Sequence, residues 1–417
     1  MTVHTHLERA AISPEEAFRA VLEDIVPVPR ARSVAVELAM GMVASRPAIS
    51  TRPLPPFDQS AVDGFGIGPI DTGVADPVTL RIASSAAAGE GVVAPLQKDE
   101  AIRLATGARV PPGVVTVVMR EHCAVKDGEI HLQRPGQLGA NIRRRGEDVA
   151  IGTVLIERGT FLDGRHVAIA AAAGMAALEV VDVLRVGIVS TGDELRLQGT
   201  ELAPNQIYDA NRPLLRALLR APWLETVDGG IVRDEVRTLA AALADIASRS
   251  DAIITTGGAM GSDTDHTAAA VVAAGGNARS LRIAQRPGKP IVIGMLAGVP
   301  LIGLPGNTTA AMVNFMLYAR PMLTARAGAN PVRAVGHPAL AHSPFEHTSA
   351  RTDFVPARVV TFAADGRPVV EQLSRGGSAR LQPFVVADGL AELPASSPSI
   401  GSGDPIIFHP FRNHLAT

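Results

Sequence analysis

Near the middle of a 417-residue chain stands the run Thr255-Thr256-Gly257-Gly258-Ala259-Met260-Gly261-Ser262-Asp263-Thr264-Asp265-His266, directly after the short apolar stretch Asp251-Ala252-Ile253-Ile254. Glycines and hydroxyls that follow a strand let backbone N–H groups approach an oxyanion such as a phosphate. Carboxylates in the same loop would repel that anion. Other apolar runs end in similar polar tails: Ser190-Thr191-Gly192-Asp193-Glu194, Arg233-Asp234 and Leu304-Pro305-Gly306-Asn307. Crowded carboxylates raise one another's pKa unless a cation neutralises them. A hard divalent cation, with Mg²⁺ the best match, coordinates carboxylate and phosphate oxygens together, and so accounts for both halves of the pattern. Taken singly, the pieces have plainer explanations. Asp193 or Asp234 fits a helix cap, and Thr255 to Gly258 fits a tight strand-to-helix turn.

Two segments earlier in the chain repeat this chemistry. Pro56-Phe57-Asp58-Gln59-Ser60-Ala61-Val62-Asp63-Gly64-Phe65 sets two acids and a serine in one loop. Asn141-Ile142-Arg143-Arg144-Arg145-Gly146-Glu147-Asp148 joins an arginine run to two acids. Such a run is commonly a solvated face; the functional alternative is that Arg143 or Arg144 clamps an anion.

The elements that must carry these loops follow from periodicity. From Val183 to about Gly328, VLRVGIVS, RPLLRALLRA, ETVDGGIV, EVRTLAAALADIA and DAIITT alternate strand with helix. That alternation predicts a doubly wound α/β domain over 183–328, whose parallel strands place their carboxyl ends, and any ligand, along one edge. PIVIGML and VPLIGL read as two strands joined tightly, ahead of a helix from Thr308. Residues 51–148 hold short Val/Ile runs broken by Pro and Gly, predicting an antiparallel β-rich domain. Residues 1–50 and 149–182 read as a discontinuous helical linking domain: Ser13, Pro14 and Glu16 start one helix, a second apolar segment runs from Ser33 to Ala44, and Gly164 to Leu178 forms a third. Residues 331–417 return to short strands and predict a small β barrel or sandwich.

Bulk composition excludes several function classes. With 47% apolar and 19% charged residues the chain folds into cores, and its length implies more than one. A net charge of −2 and 3% aromatics offer neither a general attraction for nucleic acid or anionic membrane nor stacking platforms for single strands. The longest apolar run, Val167 to Leu178, is too short to span a bilayer. The first residues lack a secretory pattern, and a single cysteine, Cys123, forms neither an intrachain disulfide nor a multi-thiolate metal site, so the expected location is the cytoplasm.

Taken in order, PFDQSAVDGF, AAGE, RLATGA, GANIRRRGED, VSTGDEL, YDAN, TTGGAMGSDTD, RPGKP and LPGN make the chain resemble the molybdopterin molybdenumtransferases, the MoeA and gephyrin E-domain family. The resemblance covers nearly the whole chain. It implies a four-domain homodimer in which Mg²⁺, molybdate and adenylylated molybdopterin meet, the phosphoanhydride is cleaved, AMP leaves and molybdenum is held by the dithiolene sulfurs. It assigns Glu194, Asp234 and Asp265 to the metal and phosphoanhydride. Asp63 and Asp148 would position molybdate or the attacking water, with Asp63 and Thr106 reaching across the dimer. Basic residues Arg282, Arg286 and Lys289 would lie near the phosphates. The remaining substrate contacts implied are Ser60, Arg143, Arg144, Thr191, Gly192, Gly257, Gly258, Ser262, Pro305, Gly306 and Asn307. Molybdopterin adenylyltransferase and apo-molybdoenzymes are the implied transient partners. The alternative reading is a non-catalytic dimeric scaffold or cofactor carrier. Departures from the family pattern fall at Met260, Arg282, Arg286, Thr308 and Val115.

Overall fold

The computed structural model describes residues 11–69, 77–91, 94–134, 136–258, 266–347, 350–373, 380–397 and 399–411. Its largest unit is a six-stranded sheet in the order Leu224–Val232, Leu184–Thr191, Ala252–Thr256, Val299–Leu304, Pro290–Leu296, Asn277–Arg282. The first four strands are mutually parallel and the last two pair antiparallel. Side chains alternate across it. Val186, Ile188, Ile254, Ile302 and Leu304 pack on one face with Leu215 and the helical run that contains Phe315 and Met322. On the other face Val189, Ile253 and Leu301 pack with Leu239, Leu243, Ile246 and Val271. Both faces are covered, which is why these strands read as unbroken apolar runs. Helix Val236–Arg249 turns its buried Leu239, Leu243 and Ile246 to the sheet at helical spacing. The tight joint expected between PIVIGML and VPLIGL is a hairpin turn, Ala297-Gly298, with φ of 52° and 79°.

The β-rich region forms a second six-stranded sheet, ordered Thr116–Met119, Gly64–Ile67, Glu100–Leu104, Val78–Ala86, Glu129–Leu132, Cys123–Lys126. It departs from the antiparallel expectation at one pair: Val78–Ala86 lies parallel to Glu100–Leu104. The segment between them is long enough to return the chain in the same direction.

The linking region is less helical than its sequence suggests. Ser13 and Glu16 do form a capping box at the start of Pro14–Leu22. The expected helix over Ser33 to Ala44 is instead strand Ala31–Ala35, paired antiparallel with Ala177–Val181, followed by the short turn Val36–Leu38. Available strand partners and β-branched Val34 and Val36 outweigh the apolar run's ambiguity. The third helix, capped by Asp163, spans Gly164–Ala172 and stops before left-handed Gly174.

At the other end of the chain, Thr352–Phe362, Pro368–Gln372, His337–Ala341, Pro405–Pro410 and Gly389–Leu393 close on themselves as a small barrel around Phe345, Val370, Leu393 and Phe408. A short strand from the α/β unit, Gln285–Arg286, joins it in parallel at Thr352 and Asp353. Among the described residues no helix is long and apolar enough to cross a membrane.

Candidate active site

Four parallel strands deliver their carboxyl ends to one edge of the α/β sheet. Asn277–Arg282 runs in the same direction, and the opposite sense of Pro290–Leu296 brings its beginning to that edge. In spatial order the edge carries Asp234, Glu194, Gly257-Gly258, Pro305-Gly306-Asn307, Lys289 and Arg282. It is acidic at one end and basic at the other. Neighbouring strands lie about 4.8 Å apart, so the strand before Glu194 and the strand after Lys289 are separated by roughly 14 Å.

At the acidic end, Asp234 Oδ1 accepts the Thr191 hydroxyl at 3.3 Å and lies 3.1 Å from His266 Nδ1. Helix Val236–Arg249 starts at Glu235 with no side-chain cap, so Asp234 is not spent on capping. Asp193 does not cap either; its carboxylate stands 3.7 Å from Arg233 at the surface. The exposed Glu194 folds its carboxylate over Gly192, where a Cβ would come within 2.7 Å of Oε2. Gly257 has φ +90°, and a Cβ there would stand 2.0 Å from the Thr191 carbonyl oxygen. Only glycine permits those two loops to cross so closely. Gly258 likewise has a positive φ, and the Cβ it lacks would meet Thr267 Oγ1 at 2.8 Å.

At the basic end Lys289 is half-buried and its carbonyl accepts the Ile283 N–H at 2.7 Å. Arg282 is exposed at its strand end, and the Arg286 guanidinium pairs with Asp353 of the barrel. Asn307 caps the next helix, its side-chain oxygen accepting from Thr309 N and Oγ1 at 3.1 and 2.8 Å, while buried Pro305 and exposed Gly306 precede it. Asp265 and Ser262 lie outside the described residues.

The candidates of the β-rich region gather separately. Asp63 Oδ1 accepts the Thr106 N–H at 2.7 Å and the Thr106 hydroxyl at 3.0 Å. Those two donors, in that order of weight, hold the Asp63 carboxyl below its ordinary range, with smaller help from Arg120 and Arg103. Asp63, Arg103 and Arg120 line an open cleft of about 320 Å³ with Glu90 and Ser85. Ser60 is buried, its hydroxyl donating to the Val62 carbonyl at 2.6 Å. Arg143 Nε donates to Glu147 at 3.0 Å, and its Nη2 lies 3.9 Å from the exposed Asp148. Arg144 reaches Asp58 at 2.7 Å. Burial would raise the Asp58 pKa, but the Arg145 N–H and the Arg144 guanidinium together hold it below the usual value. The arginine run therefore welds the loop 139–148 to the loop 56–65.

Three family descriptions match this chain in succession: "MoeA N-terminal region (domain I and II)" over residues 12–174, "Probable molybdopterin binding domain" over 187–325 and "MoeA C-terminal region (domain IV)" over 338–411. The chain belongs to the MoeA family. It is 30% identical to a molybdopterin molybdenumtransferase of Haemophilus influenzae, across 96% of this chain and 98% of the relative. It is 31% identical to molybdopterin molybdenumtransferase 2 of Mycobacterium tuberculosis, across 93% and 97%. A crystal structure of a molybdopterin biosynthesis MoeA protein from Pyrococcus horikoshii superposes with a TM-score of 0.77 at 29% identity, covering 96% of this chain and 99% of its own.

Within this MoeA protein the edge belongs to the probable molybdopterin-binding region, whereas Asp63, Thr106 and Asp148 belong to domains I and II. Its acidic end carries carboxylates of the kind a hard divalent cation takes. Glu194 and Asp234 offer hard oxygen donors, although among the described residues no three or more His, Cys, Asp or Glu side chains come together as a metal-holding group. Mg²⁺ commonly takes one or two carboxylates and completes its shell with water and phosphate oxygens. Sequence reasoning missed Asn211. Its buried amide donates to Thr256 Oγ1 at 2.6 Å and to the Gly306 carbonyl at 2.7 Å, joining two loops of the edge. The signal was present in YDAN: Asp209 accepts the N–H groups of Asn211 and Arg212 and so fixes that helix start.

Proposed function

We propose that this protein acts in molybdenum cofactor biosynthesis as a molybdopterin molybdenumtransferase, inserting molybdenum from molybdate into adenylylated molybdopterin with Mg²⁺-dependent cleavage of the phosphoanhydride. In that step an oxygen nucleophile adds to the phosphorus on the molybdopterin side, the bond from that phosphorus to the bridging oxygen breaks, and AMP leaves with that oxygen and the bond's electron pair. The observation that carries the reading is the single edge whose carboxylates stand at one end and whose cations stand at the other, with close-crossing glycine loops between them. An extended anion bearing a diphosphate fits that polarity.

Glu194 and Asp234 would hold the metal, and the family resemblance adds Asp265 to them. Bound Mg²⁺ supplies charge neutralisation at the phosphoanhydride. Thr191 keeps one oxygen of Asp234 engaged and so orients the carboxylate. Lys289 and Arg282 face the phosphate charge, and Gly257, Gly258, Pro305, Gly306 and Asn307 shape the pocket in which backbone groups approach the substrate. Asp63, Asp148 and Thr106 reach the edge from the second copy of a homodimer, where the low pKa of Asp63 keeps it ionised to position molybdate or water.

The test is AMP release from adenylylated molybdopterin by the purified protein, with and without molybdate and Mg²⁺, followed by transfer of the product to an apo-molybdoenzyme. Metal-dependent release with reconstituted activity is the expected result. Tight binding without release would replace this reading with a carrier or scaffold.

A further inference from the structure

We infer that the loop Arg286-Pro287-Gly288-Lys289 is clamped between two buried polar networks, one from the α/β unit and one from the C-terminal barrel, and that Arg286 is a positioning residue for Lys289. This rests on the proposed reading, in which Lys289 meets substrate phosphate.

The first network lies beneath the loop. Gln285, fully buried, directs Nε2 to the carbonyls of Pro287 and Gly288 at 3.1 and 3.2 Å and to Asn314 Oδ1 at 2.6 Å. Its Oε1 accepts the Tyr318 hydroxyl at 2.6 Å. Asn314, also fully buried, donates to the Gly288 carbonyl at 3.2 Å. Gly288 has φ +89°, and a Cβ there would sit 2.6 Å from Asn314 Nδ2. Asn314 and Tyr318 flank the start and body of the π-helical segment Phe315–Ala319, a local widening that recurs at functional sites. Burial pushes the Tyr318 pKa up, so its hydroxyl remains a donor. The consequence is electrostatic. Two loop carbonyls that would repel a phosphate are turned inward and satisfied, which leaves Lys289 as the loop's charged residue at the edge.

The second network lies in the barrel. Gln285 and Arg286 pair with Thr352 and Asp353, and the Thr352 N–H donates to the Ala284 carbonyl at 2.9 Å. Asp353, 1% exposed, accepts the Arg286 guanidinium on Oδ2. The same oxygen lies 3.0 Å from Nδ1 of the buried His347, whose Nε2 meets the Pro394 carbonyl at 3.0 Å. Withdrawing a guanidinium from so buried a carboxylate is costly. Arg286 therefore stays on Asp353 and anchors the loop, so that the barrel sets where Lys289 stands.

The test is steady-state AMP release by the full-length protein and its variants. Lys289→Ala should raise KM for adenylylated molybdopterin about tenfold with a smaller change in kcat, as loss of a charge-assisted contact to bound substrate does. Asp353→Asn, Arg286→Ala and Tyr318→Phe should each raise KM about three- to fivefold, and none should raise it further when Lys289 is already alanine. Hydrogen exchange over residues 284–290 should quicken in the same three variants. A purely structural role would lower thermal stability while leaving KM unchanged, or would add fully to Lys289→Ala; either result overturns the inference. A larger KM effect for Arg286→Ala than for Lys289→Ala, with Asp353→Asn neutral, would make Arg286 a direct substrate ligand and also overturn it. Should the wild-type protein release no AMP, the functional reading fails, and hydrogen exchange alone decides whether the clamp exists: unchanged exchange in all three variants rejects it.

Discussion

The two ends of the sheet edge are built in opposite ways. At the acidic end Glu194 is exposed, Asp234 is half-buried, and among the described residues the Asp234 carboxylate meets a threonine hydroxyl and a nearby imidazole ring. At the basic end Gln285 and Asn314 are fully buried and Tyr318 is 1% exposed, yet each has its hydrogen bonds made beneath a loop that is also tied to Asp353. The difference matches the two tasks proposed for them. A cation that keeps several waters is served by carboxylates free to adjust, whereas an anion is best stabilised by groups fixed in advance. Adaptable ligands belong where metal and leaving group change partners, and fixed ones where the substrate is held.

Substitutions can break that contrast from either side. The largest effect is expected from Glu194→Ala or Asp234→Ala: a fall in kcat for AMP release of about 10²- to 10³-fold, as when charge stabilisation at a reacting centre is removed, with little loss of stability at these solvent-accessible positions. Next comes Asn211→Ala, which removes the tie between the Thr256 and Gly306 loops. Losing these two hydrogen bonds together should cost about 2 kcal/mol, read by chemical denaturation. Because those loops lie between the two ends, kcat and KM should both change.

The smallest effect is a displacement of the pH profile in the β-rich region. The Thr106 N–H and hydroxyl hold Asp63 below its ordinary pKa, so its ionised form persists as pH falls and is lost only through that lowered value. Thr106→Val removes the hydroxyl bond and keeps the N–H, so the Asp63 pKa should rise toward its usual value. The acid limb of AMP release should then move to higher pH; an unmoved limb would separate Asp63 from the reaction.

Much of the edge was legible because short-range rules fix it. Strand–helix alternation dictates parallel strands, parallel strands bring their carboxyl ends together, and the glycines after Thr256 lie where loops must cross. The family motifs then pointed to the acids, of which Glu194 and Asp234 stand on this edge. The failures have a common cause. The segment 33–44 is apolar enough for a helix, and only its pairing with Ala177–Val181, far along the chain, makes its first part a strand. Asp353 bonds Arg286 of the RPGK loop from 67 residues away, and Tyr318 bonds Gln285, beneath that loop, from 33 residues away. Nothing local marks either residue as part of a site. The arginine run was ambiguous in sequence, and Asp58 and Glu147 account for much of its charge.

One experiment bears on the division of labour most directly: kcat and KM for AMP release across a Mg²⁺ titration, in wild type, Asp234→Ala and Lys289→Ala. The expected result is that Asp234→Ala lowers kcat and raises the Mg²⁺ needed for half-maximal rate, while Lys289→Ala raises KM and leaves the Mg²⁺ requirement where it was. If wild-type release is indifferent to Mg²⁺, or if both substitutions change the same parameter to the same degree, the two ends of the edge do not divide the work in this way.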